Sequence, residues 1–467
     1  MQVFSYSGAR FSPYGDEQRP GTSAPEGTDG DWLAPRPAGP LAARVRLPGS
    51  KSLTNRELVL SALADGPSLL RRPLHSRDSM LMIEALRSLG VSIDEVPGDG
   101  AYGPDLRVTP PSELSGSTSI DCGLAGTVMR FLPPLAALAL GPVAFDGDTS
   151  ARRRPMSTTI ESLRALGVDV NDDGRGALPF SLWGTGAVRG GEITIDASAS
   201  SQFVSGLLLA APRFTEGLVL RHTGTRLPSL PHIEMTIATL AQRGVVVTSP
   251  EAGVWVVPAA PIAGHDLTIE PDLSNAAPFM VAAIVAGGTV TIEGWPDATT
   301  QVGADLQTLL PLFGATVHRN GGALVVDGGA GLLGGAQLPG VSLDLSTGGE
   351  LAPALVALAA LASSPSSITG IGHLRGHETD RLAALAAEIT GLGGAVTEHD
   401  DGLDIEPREL RGGPWRAYED HRMATAGAIV GLAVDGVLVD DIACTAKTLP
   451  QFSELWSAML GQTAATP

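Results

Sequence analysis

Lysine is almost absent from this sequence. Of 467 residues only Lys51 and Lys447 are lysine, so all but two of the 31 basic side chains are arginine. Positive charge as a whole is scarce, and 50 Asp and Glu leave a formal net charge of −19. Sequence-independent binding to nucleic acid or to an anionic membrane needs a basic surface, which this composition excludes. Any anionic ligand must therefore be held by a local basic pocket. Cysteine is limited to Cys122 and Cys444, too few for a disulfide framework, and no cationic start followed by an apolar run marks a secretory signal. A cytoplasmic, reducing setting is expected. No apolar run reaches the roughly 18–20 residues that span a bilayer. "FLPPLAALALGPVAF" is broken by Pro and Gly and "LAPALVALAALA" is short, so both read as core helices.

With 43% hydrophobic residues, a chain of this length buries large cores and divides into domains. Residues 1–30, rich in Gly, Pro and Ser and without periodicity, read as a disordered tail. Beyond them a repeat emerges. Helical patterns end in glycine and pass into a strand at Gly90, Gly167, Gly244, Gly314 and Gly393, spaced 77, 77, 70 and 79 residues apart. Each suits the left-handed position that closes a helix. A second series opens helices at Lys51, Gly126, Ser201, Ser274, Gly349 and His421, spaced 75, 75, 73, 75 and 72. A β-like run such as "EITIDA" precedes each start and an apolar helix such as "QFVSGLLLAAP" follows. Two short strands, such as "VVVTS" and "VWVVP", come after the second helix.

The unit reads β-α-β-α-β-β, six times, which predicts an α/β chain in two lobes of three units. The first lobe spans 51–269 and the second 31–50 plus 270–460, with crossings near Gly49 to Lys51 and Ile269 to Asp272. The last unit lacks its closing strands, and the run "AARVRL" near the N-terminus is expected to complete it. Six helix N-termini then face one cleft between the lobes, where unpaired N–H groups and positive dipole ends favour anions.

"GSKS" is not a nucleotide-binding P-loop, since Ser50 separates Gly49 from Lys51. A strand, turn and helix can still hold a phosphate or carboxylate through Lys51, Ser52 and Arg56. Further cations, Arg130, Arg154, Arg381, Arg422 and Lys447, fall at repeat starts or just after strands, whereas Arg152 and Arg153 read as solvated. Glu350 opens a helix, and His373, His377, Glu378, Asp380, Asp420 and His421 cluster in the second half. No His or Cys spacing of a metal site accompanies them, so acid/base work is the reading they support.

The ordered series "LPGSKSLTNR", "GLAGTVMRF", "ARRRP", "SASSQF", "GGELAP", "HETDRL", "EDHRM" and "CTAKTLP" resembles the 5-enolpyruvylshikimate-3-phosphate synthase family. The resemblance implies two lobes of three βαβαββ units and transfer of the enolpyruvyl group of phosphoenolpyruvate to the 5-hydroxyl of shikimate 3-phosphate, without metal or organic cofactor. It implies that Lys51, Ser52, Arg56, Ser200, Ser201, Gln202, Ser229, Glu350, His373 and His377 contact shikimate 3-phosphate. Phosphoenolpyruvate falls to Lys51, Gly126, Arg154, Gln202, Arg381, Arg422 and Lys447. Glu350 is the implied base and Glu378 the implied proton donor, with Lys51 and His377 beside them. A monomer is expected, and glyphosate is expected to compete with phosphoenolpyruvate.

The sequence departs from the common pattern in places. Glu350 stands where many members have Asp, His377 where Lys is usual, His373 where Asn is usual, Leu124 in place of a polar Asn, and His232 where Tyr is frequent. Two rival readings remain. The sister transferase acting on UDP-N-acetylglucosamine shares the fold but typically carries a Cys in the loop occupied here by "DGDTSARRRP". A non-catalytic anion-binding scaffold would keep the repeat and lose Glu350, Glu378 or the cations.

Overall fold

Left-handed glycines close helices where the spacing predicts them. Gly90, Gly167, Gly244, Gly314 and Gly393 adopt φ of +94°, +85°, +84°, +92° and +93°. An L side chain pays a steric penalty there and glycine does not. The computed structural model describes residues 31–98 and 100–461, so the tail expected over 1–30 lies outside the described residues.

Twelve α-helices follow one another among the described residues: α1 (Lys51–Ala62), α2 (Arg77–Ser88), α3 (Gly126–Ala136), α4 (Ser157–Ala165), α5 (Gln202–Ala210), α6 (Leu230–Gln242), α7 (Leu273–Ala286), α8 (Leu306–Leu309), α9 (Ala352–Ala359), α10 (Arg381–Gly391), α11 (His421–Ala433) and α12 (Phe452–Met459). Those that begin at the repeat starts are inner helices, and every residue of α3, α7 and α9 is buried. The alternate ones keep a polar face. In α2, Met82, Ile83 and Leu86 pack inward while Arg77, Glu84 and Arg87 face water, the pattern of a helix on a core surface.

Six sheets of three or four strands carry these helices. In one, Thr118–Asp121 runs parallel to Leu140–Asp146, which pairs antiparallel with Phe180–Thr185, itself antiparallel to Asp169–Asn171. Ser342–Asp344, Ser366–Thr369, Gly402–Glu406 and Ala395–His399 repeat that order. Two sheets exchange their first strands. Leu41–Val45 precedes α1 yet pairs with Gly288–Glu293 after α7, and Leu267–Thr268 precedes α7 yet pairs with Ser68–Arg71 after α1.

The run "AARVRL" therefore does not complete the last sheet, contrary to expectation. The strand Leu41–Val45, which takes in most of that run, buries Leu41 and Val45 in the core that holds Val290 and Ile292. The last sheet has strands of three residues, and Trp32–Leu33 pairs there with Val437–Val439, Trp32 covering the core. "VVVTS" also falls short of a strand. It makes a single bridge, Thr248 to Val256, and leaves Val246 exposed.

Two hydrophobic cores result. One joins residues from Trp32 to Leu47 with those from Leu273 to Leu460, and the other runs from Leu58 to Ile262. Between them the chain passes twice, side by side. The Ser50 N–H donates to the Glu270 carbonyl at 2.7 Å and the Asp272 N–H to that of Pro48 at 2.9 Å. A Cβ on Gly49 would collide with the carbonyl of Arg72, so the crossing demands glycine. Among the described residues no helix is long and apolar enough to cross a membrane.

Candidate active site

The helix starts picked out by the repeat meet in one pocket. Lys51 and Ser52 of α1, Gly126 and Thr127 of α3, Ser201 and Gln202 at the head of α5, Ser274 and Asn275 of α7, and His421 and Arg422 of α11 all line it. Glu350 joins them from the 3-10 turn Gly349–Leu351 that leads into α9. Each inner helix thus turns its positive end toward a shared space, with some first-turn N–H groups already held by Asp272 and Asp420. Arg56, Arg154, Ser200, Ser229, His373, His377, Glu378 and Arg381 complete the wall. Lys447 stands behind it, buried, with Nζ 2.7 Å from Oε1 of Glu378.

Around Gly126 the pocket is cationic and unsatisfied. A Cβ there would lie 3.1 Å from Nη2 of Arg154, 3.1 Å from Oε1 of Gln202 and 3.2 Å from Nη1 of Arg130. Both arginines are buried with an unpartnered Nε, and Oε1 of Gln202 is unpartnered too. Among the described residues neither arginine has a carboxylate within 4.0 Å. Arg130 leans on the ring of Phe203, and Arg154 gives Nη1 to the carbonyl of Leu124 at 3.2 Å. Burial first, then the neighbouring Arg154, push the Arg130 guanidinium well below its ordinary value. Two buried cations lacking an acid are costly alone, and an anionic ligand relieves that cost.

Arg56 is a third buried cation. It gives Nε to Oγ1 of Thr236 at 2.8 Å, Nη1 to the Ser52 carbonyl at 2.9 Å and Nη2 to the His232 carbonyl at 2.8 Å. All these partners are neutral. Burial lowers its pKa to about 9, against the pull of Glu350 and Glu57. Lys51 stands beside it, Nζ 3.4 Å from Oδ2 of Asp78, with its N–H donating to Asp272 at 3.1 Å.

Two carboxylates share the pocket. Ser274 donates to Oε1 of Glu350 at 2.6 Å, and Oε2 lies 3.4 Å from Nη2 of Arg422 and 3.6 Å from Nε2 of His232. Burial works against its charge, but His232, Arg422 and Ser274 outweigh burial and hold Glu350 well below the carboxylate range. Glu378 is likewise opposed by burial yet held ionised by Lys447, Arg381 and Arg154. Arg381 is fixed in turn by a two-pronged bond to Asp420, at 2.8 and 3.1 Å.

Three histidines of the pocket are held neutral. Burial, then Arg381, hold His377 well below its usual value, and its Nδ1 faces Nη1 of Arg381 at 3.3 Å. It is a neutral acceptor and so does not replace the cation usual at that position. Burial lowers His373 to about 4. His421 is also held neutral, by burial and by Lys51.

Sequence reading missed Ser274 as the donor that orients Glu350, Asp78 as the partner of Lys51, and Thr236 as the support of Arg56. These pairs are 76, 27 and 180 residues apart. Ser274 alone carried a signal, as one of the repeat starts.

A pocket of helix N-termini, unpaired cations and ionised carboxylates suits small polyanions, and similarity to known proteins agrees. The family model described as EPSP synthase (3-phosphoshikimate 1-carboxyvinyltransferase) matches residues 35–456. A curated 3-phosphoshikimate 1-carboxyvinyltransferase from Kocuria rhizophila is 57% identical over 435 residues, covering 92% of this chain and 96% of its own. An EPSP synthase structure from Acinetobacter baumannii superposes with a TM-score of 0.73 at 25% identity, covering 92% of this chain and 97% of that one. An enolpyruvyl transferase from Streptomyces tendae shares the fold at 18% identity, with a TM-score of 0.70 over 91% of this chain and 96% of its own. The chain belongs to the EPSP synthase family.

Proposed function

We propose that this protein transfers the carboxyvinyl group of phosphoenolpyruvate to the 5-hydroxyl of shikimate 3-phosphate and releases phosphate. The observation that carries the reading is the meeting, in one pocket, of buried cations without acids of their own and two carboxylates held ionised.

Phosphoenolpyruvate brings a phosphate and a carboxylate. Arg154, Gln202 and the N-terminus of α3 at Gly126 take one, and Arg381, Arg422 and Lys51 the other, each charge-assisted bond contributing about 1.5–3 kcal/mol. Lys447 serves this site through Glu378. Shikimate 3-phosphate lies along Lys51, Ser52, Arg56, Ser200, Ser201, Gln202 and Ser229, with Glu350, His373 and His377 on its sugar-like ring.

Lys447, Arg381 and Arg154 keep Glu378 ionised. Phosphoenolpyruvate draws on the same cations, so its arrival raises the proton affinity of Glu378 and makes it a donor. Glu378 then protonates the methylene carbon, and the 5-hydroxyl oxygen bonds to C2 as its proton passes to Glu350. In the second step a methyl proton returns to Glu378 and the C2–O bond to phosphate breaks. The proton held by Glu350 leaves with the phosphate. Positioned acid/base groups contribute about 10²–10⁴-fold each, and holding both substrates in contact supplies much of the rest.

The same reading takes the chain as two lobes of three βαβαββ units, 51–269 and 31–50 plus 270–460, closing on the cleft. The two hydrophobic cores and the six sheets support that division. It is also read as a cytoplasmic monomer of aromatic amino-acid biosynthesis and a target of glyphosate.

Proton NMR in D2O tests the chemistry. The product vinyl group is expected to carry deuterium, because each turnover makes and unmakes a methyl. Product without deuterium would exclude protonation at the methylene, and no product would exclude the reading.

A further inference from the structure

Two successive residues are held left-handed just before α11. Tyr418 and Glu419 both take φ of +56°, a conformation that strains a bulky L residue and persists only where its surroundings over-determine it. The turn they make is closed by the Asp420 N–H on the Ala417 carbonyl, at 2.9 Å. It delivers Asp420, fully buried, to the cations of the pocket. Oδ2 and Oδ1 of Asp420 accept from Nε and Nη2 of Arg381, and Oδ1 also accepts from the Arg422 N–H at 2.9 Å. The turn also meets the loop that leads to Arg154, where Oγ of Ser150 donates to Oε2 of Glu419 at 3.2 Å.

Glu388 holds this turn from α10. It lies seven residues beyond Arg381, two helical turns along the same face, and stands outside the pocket wall. Its side chain is 4% exposed. Oε2 accepts from the Arg416 N–H at 3.0 Å, and Oε1 accepts from Nε of Arg416 at 3.0 Å and from the Tyr418 hydroxyl. The Arg416 guanidinium lies over the Tyr418 ring, 5.5 Å from its centre. Burial and the Glu388 carboxylate push the Tyr418 hydroxyl up to about 12, so it remains a donor. Helix α10 thus grips the segment 416–420 twice, through Glu388 at Arg416 and Tyr418 and through Arg381 at Asp420, with the left-handed residues spanning the two grips.

We propose that Glu388 is a positioning residue for phosphoenolpyruvate, fixing the strained turn and through it Asp420, the common anchor of Arg381 and of the start of α11 at Arg422. Without both acceptor oxygens the turn relaxes toward ordinary backbone, Asp420 shifts, and the two arginines lose their aim. Shikimate 3-phosphate lies mainly along α1, the head of α5 and Ser229, and is spared. The inference rests on reading Arg381 and Arg422 as holders of phosphoenolpyruvate.

Steady-state kinetics of Glu388→Gln tests it. Gln keeps the size but offers one acceptor oxygen where Glu has two. The KM for phosphoenolpyruvate is expected to rise about tenfold, and that for shikimate 3-phosphate by less than about twofold. An equal rise for both substrates would mark a general loss of packing and overturn the proposal, as would no rise in either. Asn takes a left-handed backbone more readily than Glu. Adding Glu419→Asn to Glu388→Gln is therefore expected to bring the KM for phosphoenolpyruvate back to within about threefold of wild type, and a value that does not move overturns the proposal. Should Glu388→Gln fail to fold, Tyr418→Phe removes one bond to the carboxylate and is expected to raise the same KM alone, by about threefold; an unchanged value decides against Glu388. Failure of the underlying reading looks different. Arg381→Gln with an unchanged KM for phosphoenolpyruvate, or a wild type that makes no product from the two substrates, would sink the reading of the ligand and the proposal with it.

Discussion

At the scale of single residues, Gly126 separates a steric account from an electrostatic one. Its missing Cβ leaves room between Arg154, Gln202 and Arg130. Gly126→Ala is expected to raise the KM for phosphoenolpyruvate and, by a larger factor, the inhibition constant of glyphosate, both read from steady-state kinetics. Unchanged inhibition would mean the ligand does not approach that helix start.

The scarcity of lysine acquires a physical sense at the same scale. Lys51 lies on the pocket wall beside Asp78 and Lys447 lies buried against Glu378. Both places suit a compact ammonium better than a wide planar fork. Lys51→Arg keeps the charge, and is expected to cost about tenfold or more in kcat/KM through misplacement of the substrates. Full activity would show that charge alone suffices. Lys51 was legible in the sequence because its helix start recurs, and Lys447 because it stands in the run "CTAKTLP". The sequence could not reveal that Lys447 acts from behind Glu378, since that depends on side-chain direction and not on spacing.

At the scale of elements, α3 and α5 pack so closely that Gly206 lies on the carbonyl of Arg130. A methyl there has backbone and no flexible side chain to displace. Gly206→Ala is expected to destabilise by about 1–3 kcal/mol in urea unfolding, and to weaken phosphoenolpyruvate binding as Arg130 moves. The helix-closing glycines were legible because a left-handed residue after an apolar helix has few alternatives. The strand exchange was not. The alternation of Leu41–Val45 names no partner and Leu267–Thr268 is only two residues long, so the exchange follows from the crossing at Gly49 and Pro271.

For the whole molecule, the buried His421 and the half-buried His373 and His377 make stability depend on pH. His373, His377 and His421 stay neutral in the fold at pH values where the unfolded chain protonates them. Each folded value lies below the unfolded one, so below about pH 6.5 the unfolded state binds more protons and the fold loses about 1.4 kcal/mol per pH unit per group. Urea unfolding is expected to give a stability lower by on the order of 3 kcal/mol at pH 5.5 than at 7.5. A flat profile would mean that these rings are protonated in the fold.

The convergence of six helix starts on one pocket is the feature on which the functional reading depends, and one assay probes it most directly. Phosphate release from phosphoenolpyruvate should be measured with shikimate 3-phosphate as acceptor and, separately, with UDP-N-acetylglucosamine. Release with the first and none with the second is expected, whereas no release with shikimate 3-phosphate, or release only with the nucleotide sugar, would contradict the proposed function.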